Sequence, residues 1–219
     1  MKTYSTVLAL SALAVLSRSS YAQAPASGAK TVNFESDAVG SAPAGFELAR
    51  TGGGAEGKWV VRDDKDKAGN HVLVQESADK TDYRFPLAIV KDGTHRDVTL
   101  AVRAKPLSGE VDQGFGLVWR YRDANNYYIA RCNADEDNCT IYHVVKGSRR
   151  SFQNKGTKVA TNTWHTLKVE AKGDHFTVSF DGTKVLDAKD DTFKEAGKVG
   201  LWTKADSVIA FDDLTIEGR

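Results

Sequence analysis

Residues 114–145 contain the densest group of side chains that could bind a ligand. Aromatic, arginine and histidine residues recur there at short spacing: Trp119, Arg120, Tyr121, Arg122, Tyr127, Tyr128, Arg131, Tyr142 and His143. Aromatic rings offer flat apolar faces, and a guanidinium offers several N–H donors in one plane. Such groups suit a ligand with both C–H surface and hydroxyl oxygens, as a sugar has. The pattern predicts a carbohydrate-binding face led by Arg120, Arg131 and Tyr142, with Arg84 and Trp202 as contributors from elsewhere in the chain.

An acidic run, Asp135-Glu136-Asp137, lies in the same stretch and raises the question of paired catalytic carboxylates. Retaining glycosidases hold two carboxyl groups about 5–5.5 Å apart on a rigid frame. These three carboxylates are consecutive and fall at a predicted turn between two strands. We therefore expect a solvated acidic tip rather than a catalytic pair.

The only two cysteines, Cys132 and Cys139, bracket that acidic tip. Two cysteines facing each other across a hairpin favour a disulfide in an oxidising compartment. A metal site that also uses His143 is the alternative, but two thiols and one imidazole are too few ligands for a structural zinc.

A disulfide at these positions would also fix the pairing of the two strands. Antiparallel register then places Arg131 opposite Thr140 and Ile129 opposite Tyr142. Arg131 and Tyr142 would share one face of the sheet, and His143 would lie on the other.

Strand signals extend over the whole chain and position these side chains. Residues 114–122, 126–132 and 140–145 read as a three-strand meander, rich in branched and aromatic residues and interrupted by turn residues. Val98, Leu100 and Val102 recur at every second residue, as do the apolar residues of 163–171. Asp181-Gly182 is a strong two-residue hairpin signal. About twelve to fourteen short strands and no amphipathic helix predict an all-β, two-sheet sandwich.

Composition and the first residues bound the class of protein. The chain has 219 residues, 41% of them hydrophobic, and a formal net charge of +1. This balance argues against nucleic-acid binding and against disorder. Residues 1–22 have the basic start, short apolar run and small residues of a signal peptide, residues 23–30 resemble a linker, and 31–217 form the domain. No other apolar stretch reaches membrane-spanning length, so we expect a periplasmic or extracellular protein of unknown oligomeric state.

Several motifs along the chain resemble one superfamily. They are W-R-Y-R-D-A-N-N-Y-Y, T-W-H-T-L-K-V-E, F-D-G-T-K-V-L-D, G-K-V-G-L-W-T and F-D-D-L-T-I, spread over residues 119–216. Together they resemble the concanavalin A-like lectin/glucanase superfamily, and within it the laminin-G-like modules and the 3-keto-disaccharide hydrolase-type domains. The resemblance covers about residues 32–217 and implies a jelly-roll of two antiparallel sheets, one of them concave.

The resemblance leaves the activity open. The chain lacks the Glu-x-Asp-x-x-Glu strand of the superfamily's glucanases. The resemblance implies a carbohydrate-recognising module that binds a glycan on its concave sheet. The alternative is a glycoside hydrolase of the 3-keto-disaccharide type, for which His143 is the candidate base. The resemblance also implies a structural calcium ion held by Glu35 with Asp212 or Asp213, and no other cofactor.

Overall fold

The computed structural model describes Met1 and residues 28–218. The expected signal peptide and the first part of the expected linker lie at residues 2–27, outside the described residues. The described part of the chain contains fifteen strands and no helix: β1 (Lys30–Val32), β2 (Phe46–Gly52), β3 (Trp59–Asp63), β4 (His71–Gln75), β5 (Arg84–Val90), β6 (Val98–Ser108), β7 (Gly114–Asp123), β8 (Asn126–Asn133), β9 (Asn138–Val145), β10 (Ser148–Gly156), β11 (His165–Lys172), β12 (His175–Phe180), β13 (Thr183–Lys189), β14 (Lys198–Thr203) and β15 (Val208–Gly218). Within these described residues, nothing forms a helix that could cross a membrane.

The strands form two antiparallel sheets that pack face to face. Sheet A has the order β13-β12-β11-β6-β15-β4-β3, with β1 added to β15. Sheet B has the order β10-β9-β8-β7-β14-β5-β2. The chain passes repeatedly from one sheet to the other. The predicted all-β, two-sheet antiparallel jelly-roll sandwich is therefore confirmed.

Alternating apolar residues from both sheets fill the space between them. Leu100 and Val102 of β6 are 0% and 1% exposed, and they meet Leu117 and Trp119 of β7 in one core. Each such side chain contributes roughly 1.5–3 kcal/mol when it is fully buried. The face predicted for Val98, Leu100 and Val102 is confirmed, since all three are buried.

Local turn chemistry sets the neighbouring hairpin. Phe180 pairs with Thr183 across Asp181-Gly182, whose φ angles are 48° and 77°. Two successive positive φ values match the right-handed twist of the flanking strands, as in a type I′ turn. The two-residue hairpin predicted from the sequence is therefore present.

The β7–β8–β9 meander has the register that the cysteines imply. Cys132 pairs with Cys139 and forms a disulfide, with 4.1 Å between the Cα atoms. Arg131 pairs with Thr140, and Tyr142 pairs with Ile129. The predicted disulfide and the predicted shared face of Arg131 and Tyr142 are both confirmed.

Sheet B curls strongly. The inside of the curl is the face of sheet B that points away from sheet A, and we call it the concave face. Arg149 of β10 contacts Phe85 of β5, although five strand-to-strand steps separate those strands. In a flat sheet that separation would be about 24 Å, far beyond the reach of an arginine. Thr51 of the edge strand β2 similarly bonds Tyr127 of β8, with 2.7 Å between the hydroxyl oxygens.

A second apolar layer fills part of this curl. It is separate from the core between the sheets and consists of buried residues of sheet B: Phe85, Leu87, Ile89, Val118, Tyr121, Tyr127, Ile129, Val144 and Trp202. The Thr51 hydroxyl donates to the Ala124 carbonyl, so the Tyr127 hydroxyl donates to Thr51. Burial raises the pKa of Tyr127 above its ordinary value, which keeps that donor protonated. The curl is thus held by apolar packing and by a buried hydrogen-bond chain.

Replacing both cysteines with alanine should lower stability without changing the fold. The disulfide joins residues seven apart in sequence, and closing so short a loop stabilises a protein by about 2–3 kcal/mol. For a domain of this size we expect a melting temperature about 5–10 °C lower by calorimetry. The reduced wild-type protein should have the same melting temperature as the double variant. Equal melting temperatures of the reduced and oxidised wild-type proteins would contradict this expectation.

Thr51→Val should destabilise the curl of sheet B by about 1–3 kcal/mol, because it removes a buried hydrogen-bond partner of Tyr127. Adding Tyr127→Phe to Thr51→Val should recover part of the loss, since the stranded hydroxyl disappears as well. Urea unfolding measures both effects. The control is Thr166→Val on the exposed surface of β11, expected to stay within about 0.5 kcal/mol of wild type.

Candidate functional site

Arg149 extends from the edge strand β10 over the concave face, with aromatic rings around its guanidinium. Its guanidinium carbon is 4.5, 4.6 and 5.6 Å from the ring centres of Phe85, Tyr142 and Trp202. Cation–π attraction favours this position. The buried Nη1 atom has no hydrogen-bond partner in the described part of the chain. An unpaired buried donor costs about 1–3 kcal/mol, which an acceptor oxygen from a ligand would offset.

Arg131 and Tyr142 lie beside Arg149 and are joined to the acidic tip. The Arg131 guanidinium donates to the Tyr142 hydroxyl at 3.0 and 3.2 Å, to Asn138 Oδ1 at 3.1 Å and to Glu136 Oε2 at 2.7 Å. Burial alone would raise the pKa of Glu136, but the Arg131 and Asn138 donors bring it below its ordinary value. Glu136 is therefore a fixed carboxylate with 42% of its side chain exposed.

Lys204 supplies a second charged group at the same end of sheet B. Its ammonium lies 2.9 Å from Asp112 Oδ2 and 2.6 Å from Asp82 Oδ1. Burial raises the pKa of Asp112, and the Lys204 contact opposes that rise. The Lys204 hydrogen bond lowers the pKa of Asp82, and the charge of Arg149 acts in the same direction. Asp82 is therefore a carboxylate held by Lys204, and 73% of the Asp82 side-chain surface remains open to solvent.

Small residues and one exposed ring shape the rim. A Cβ atom on Gly114 would lie 2.6 Å from Asp112 Oδ1 and 3.5 Å from the Trp202 ring, so glycine makes room for both. Tyr83 is 44% exposed and packs edge-on against Phe85. Its hydroxyl donates to the Gly147 carbonyl at 2.8 Å and accepts from the Arg149 backbone N–H at 2.7 Å. We call the group Asp82, Tyr83, Arg131, Glu136, Tyr142, Arg149, Trp202 and Lys204 the concave site.

Arg120, predicted to lead the binding face, lies outside the concave site. Strict alternation would place it on the face of Val118, but its φ of 48° forms a bulge between Trp119 and Asp123. Its guanidinium donates to the backbone carbonyls of Arg96, Phe193 and Gly173. The side chain is 2% exposed, so its geometry supports a structural role rather than ligand contact.

Arg84 and Trp202, the two more distant candidates, have different positions. Arg84 is fully buried and donates to the carbonyls of Ala55, Glu56 and Ala205 and to the Ser77 hydroxyl. It ties loops together at the end of the sandwich and has no surface to offer a ligand. Trp202 is also fully buried, but it stacks on Phe85 at 5.3 Å and forms the floor beneath Arg149.

His143, the candidate base, points away from the concave site. It pairs with Tyr128, whose ring belongs to the core between the sheets. Its Nδ1 lies 3.4 Å from Asp190 Oδ2 and 3.3 Å from the Thr192 hydroxyl. Because a strand turns successive side chains to opposite faces, His143 and Tyr142 cannot act on one substrate in this site.

The residues expected to hold calcium do not fit that ion. Asp212 and Asp213 lie 3.5 and 3.3 Å from the same Arg103 nitrogen, which occupies the position of a cation. Glu35 accepts from the His71 backbone N–H at 3.0 Å. Residues 28–218 contain no group of three or more His, Cys, Asp or Glu arranged to hold a metal ion. Calcium requires six to eight oxygen ligands, so we assign it no role here.

Sequence reasoning missed most of the concave site. Arg149, Lys204, Asp82 and Tyr83 carry no motif, and they come from separate loops and strands. Glu136 belongs to the acidic run that was expected to be solvated, yet its carboxylate folds back onto Arg131. A sequence signal for the contact between Arg131 and Glu136 was available. Arg131 directly precedes Cys132, so the predicted disulfide hairpin places Arg131 beside the acidic tip.

The arrangement can recognise a polyhydroxylated ligand. Arg149 and Lys204 offer donors, Glu136 and Asp82 offer acceptors, and Tyr83 offers an exposed ring. Arg131 is 4% exposed and already donates to Glu136, Asn138 and Tyr142, so it holds these groups in place. Each carboxylate contacts a cation, so the site can hold hydroxyl groups without an uncompensated charge.

Comparison with solved structures finds proteins of similar fold. The carbohydrate-binding module CBM66 from Bacillus subtilis matches with a TM-score of 0.61 and 24% identity, over 78% of this chain and 95% of that one. Domain 4 of the extracellular arabinanase AbnA from Geobacillus stearothermophilus, solved with arabinotriose, matches with a TM-score of 0.53 and 15% identity, over 87% and 93%.

Sequence comparison finds a relative and a family. A levanase of Bacillus subtilis (strain 168) is 33% identical over 98 residues, which are 44% of this chain and 14% of the levanase. The family model of the 3-keto-alpha-glucoside-1,2-lyase-like domain matches residues 39–217. That match covers most of the chain and the whole concave site. The chain therefore belongs to the family of 3-keto-alpha-glucoside-1,2-lyase-like domains.

Proposed function

We propose that the protein is a carbohydrate-recognising module that binds a glycan in the concave site. The observation that carries this proposal is the Arg149 guanidinium, which lies among three aromatic rings with a buried donor that no described residue uses. Protein interiors rarely leave such a donor unpaired unless a ligand or water completes it. Glycan hydroxyls would supply the acceptor, and sugar C–H groups would pack on the rings.

The neighbouring charges support an uncharged sugar as the ligand. Arg131 is already paired with Glu136, and Lys204 with Asp82 and Asp112. An anionic ligand would have to compete with those carboxylates, whereas hydroxyl groups can donate to them and accept from the cations. Levan and arabinan are suitable first ligands, because one relative is a levanase and one similar domain was solved with arabinotriose.

The alternative, hydrolysis of a 3-keto glycoside, has less support. His143 lies on the opposite face of sheet B, and the carboxylates of the concave site each contact a cation. General acid–base catalysis needs a group that can exchange a proton at the reacting atom. Neither Glu136 nor Asp82 carries the proton that a general acid needs near neutral pH, since the pKa of each is lowered.

A location outside the cytoplasm belongs to the same proposal. Disulfides persist in oxidising compartments, and Cys132 and Cys139 form a disulfide. AbnA, whose domain 4 shares the fold, is described as extracellular. Residues 1–22 would supply the export signal.

Arg149→Met should weaken binding of the glycan by about 10- to 100-fold, because it removes the free donors and keeps the aliphatic stem. Titration calorimetry with levan and arabinan oligosaccharides measures the loss. The matched control is Arg150→Met, since Arg150 pairs with His143 and is exposed. Equal affinity of wild type and the Arg149 variant for every bound sugar would sink the proposal.

Binding should depend on pH through Glu136 only in the acid range. The folded pKa of Glu136 lies below its ordinary value of 4.5, so the carboxylate and its contribution persist as pH falls from 7 to about that value. Affinity should fall only at lower pH, as the proton displaces the Arg131 contact. Glu136→Gln should bind more weakly at pH 7 and lack this acid step, and circular dichroism at each pH controls for unfolding. A step centred above pH 4.5 would contradict the assignment.

A further inference from the structure

The outer face of sheet A carries a groove on the opposite side of the protein from the concave site. It has a volume of about 550 Å³, within the range of small-ligand sites. Strands β4, β6 and β15 supply its floor, which is apolar: Val72, Val74, Leu107, Val208 and Ala210. Val39 and Trp164 also line the groove, Trp164 from the turn before β11.

Trp164 is unlike the other tryptophans of the chain. Trp59, Trp119 and Trp202 are 2%, 0% and 0% exposed, whereas Trp164 is only partly buried. Its indole N–H donates to Asp66 Oδ2 at 3.2 Å, and the Arg103 guanidinium lies 4.7 Å from the ring centre. These contacts fix the ring in place before any ligand arrives, which reduces the entropy lost on binding.

The walls of the groove are polar and balanced in charge. Three cations and three carboxylates line it: Arg62, Lys65, Lys105, Asp63, Asp64 and Glu76. Arg62 donates to both oxygens of Glu76 at 2.7–3.0 Å, and Lys105 lies 2.6 Å from Asp66. A balanced rim does not attract a polyanion or an acidic membrane surface. It does offer donors and acceptors to an uncharged, hydroxyl-rich molecule.

The size of the groove also argues against a protein partner. It is lined by thirteen residues, whereas a stable protein interface uses about 20–30 residues a side. An apolar floor, one fixed indole ring and paired polar walls are the combination that recognises a sugar, whose ring has C–H faces and hydroxyl edges.

From these observations we propose that the groove is a second saccharide site, which takes one end or a short stretch of an uncharged oligosaccharide against Trp164. With the concave site on the other sheet, the module would be bivalent and could join two glycan chains. The groove proposal rests on its own residues and does not require the concave site to bind.

The test is a titration followed at the tryptophan indole N–H signals by nuclear magnetic resonance. The probes are levan, arabinan, cellulose, maltose-series and laminarin oligosaccharides, each added to wild type, Trp164→Phe, Lys105→Met and Arg149→Met. Comparison with Trp164→Phe assigns the Trp164 signal. We expect at least one probe to shift that signal saturably in wild type and in the Arg149 variant.

Lys105→Met should weaken that interaction by about tenfold or more at the Trp164 signal, while the protein stays folded by circular dichroism. Trp164→Phe lacks that signal, so titration calorimetry measures its loss of affinity, which should be of the same size. Lys105→Met keeps the tryptophan and so separates lost binding from lost packing. A Trp164 signal that no probe moves overturns the proposal, as does a signal that moves with protein concentration alone, which would mark the groove as a contact between copies. If Arg149→Met abolishes all sugar binding, the proposal for the groove is wrong and the proposal for the concave site is supported. If only the groove variants lose binding, the proposal that the concave site binds a glycan is wrong.

Discussion

The curl of sheet B is the constraint on which the rest of the structure depends. The buried hydrogen bonds from Tyr127 to Thr51 and from Thr51 to Ala124 join an edge strand to one four steps away in the sheet. Tyr83 and Gly147 make a second connection across the same face. A flat sheet would leave the second apolar layer in water and Arg149 far from Phe85. The curl buries that layer and brings side chains from separate loops and strands into one site.

Arg84, Arg120 and Arg149 show that residue type alone does not decide function. Arg84 and Arg120 both donate to several backbone carbonyls, which leaves their guanidinium groups saturated. Saturated donors stabilise loops and have nothing to offer a ligand. Arg149 faces aromatic rings instead and keeps an unused donor. The difference follows from whether carbonyl groups or rings surround each guanidinium, which depends on the packing of distant segments.

Local features of the fold could be predicted from the sequence because neighbouring residues cause them. The Asp181-Gly182 turn needs only two residues that accept positive φ, and the alternation of Val98, Leu100 and Val102 needs only a half-buried strand. The cysteine pair sets the register of β8 and β9, and that register correctly placed Arg131 and Tyr142 together. The fold class follows from many such local signals and agrees with the family resemblance of the motifs.

The sequence by itself therefore determined the two-sheet sandwich, the disulfide hairpin and the shared face of Arg131 and Tyr142. Only the tertiary structure decided which arginine keeps an unused donor among the rings of the concave face. A single left-handed residue at Arg120 reverses the alternation of β7, and such a bulge is stabilised by contacts with Gly173 and Phe193 that lie far along the chain. Arg149 gains its position among the rings from the curl of sheet B, because curvature sums small twists from strand to strand and brings β10 within reach of β5.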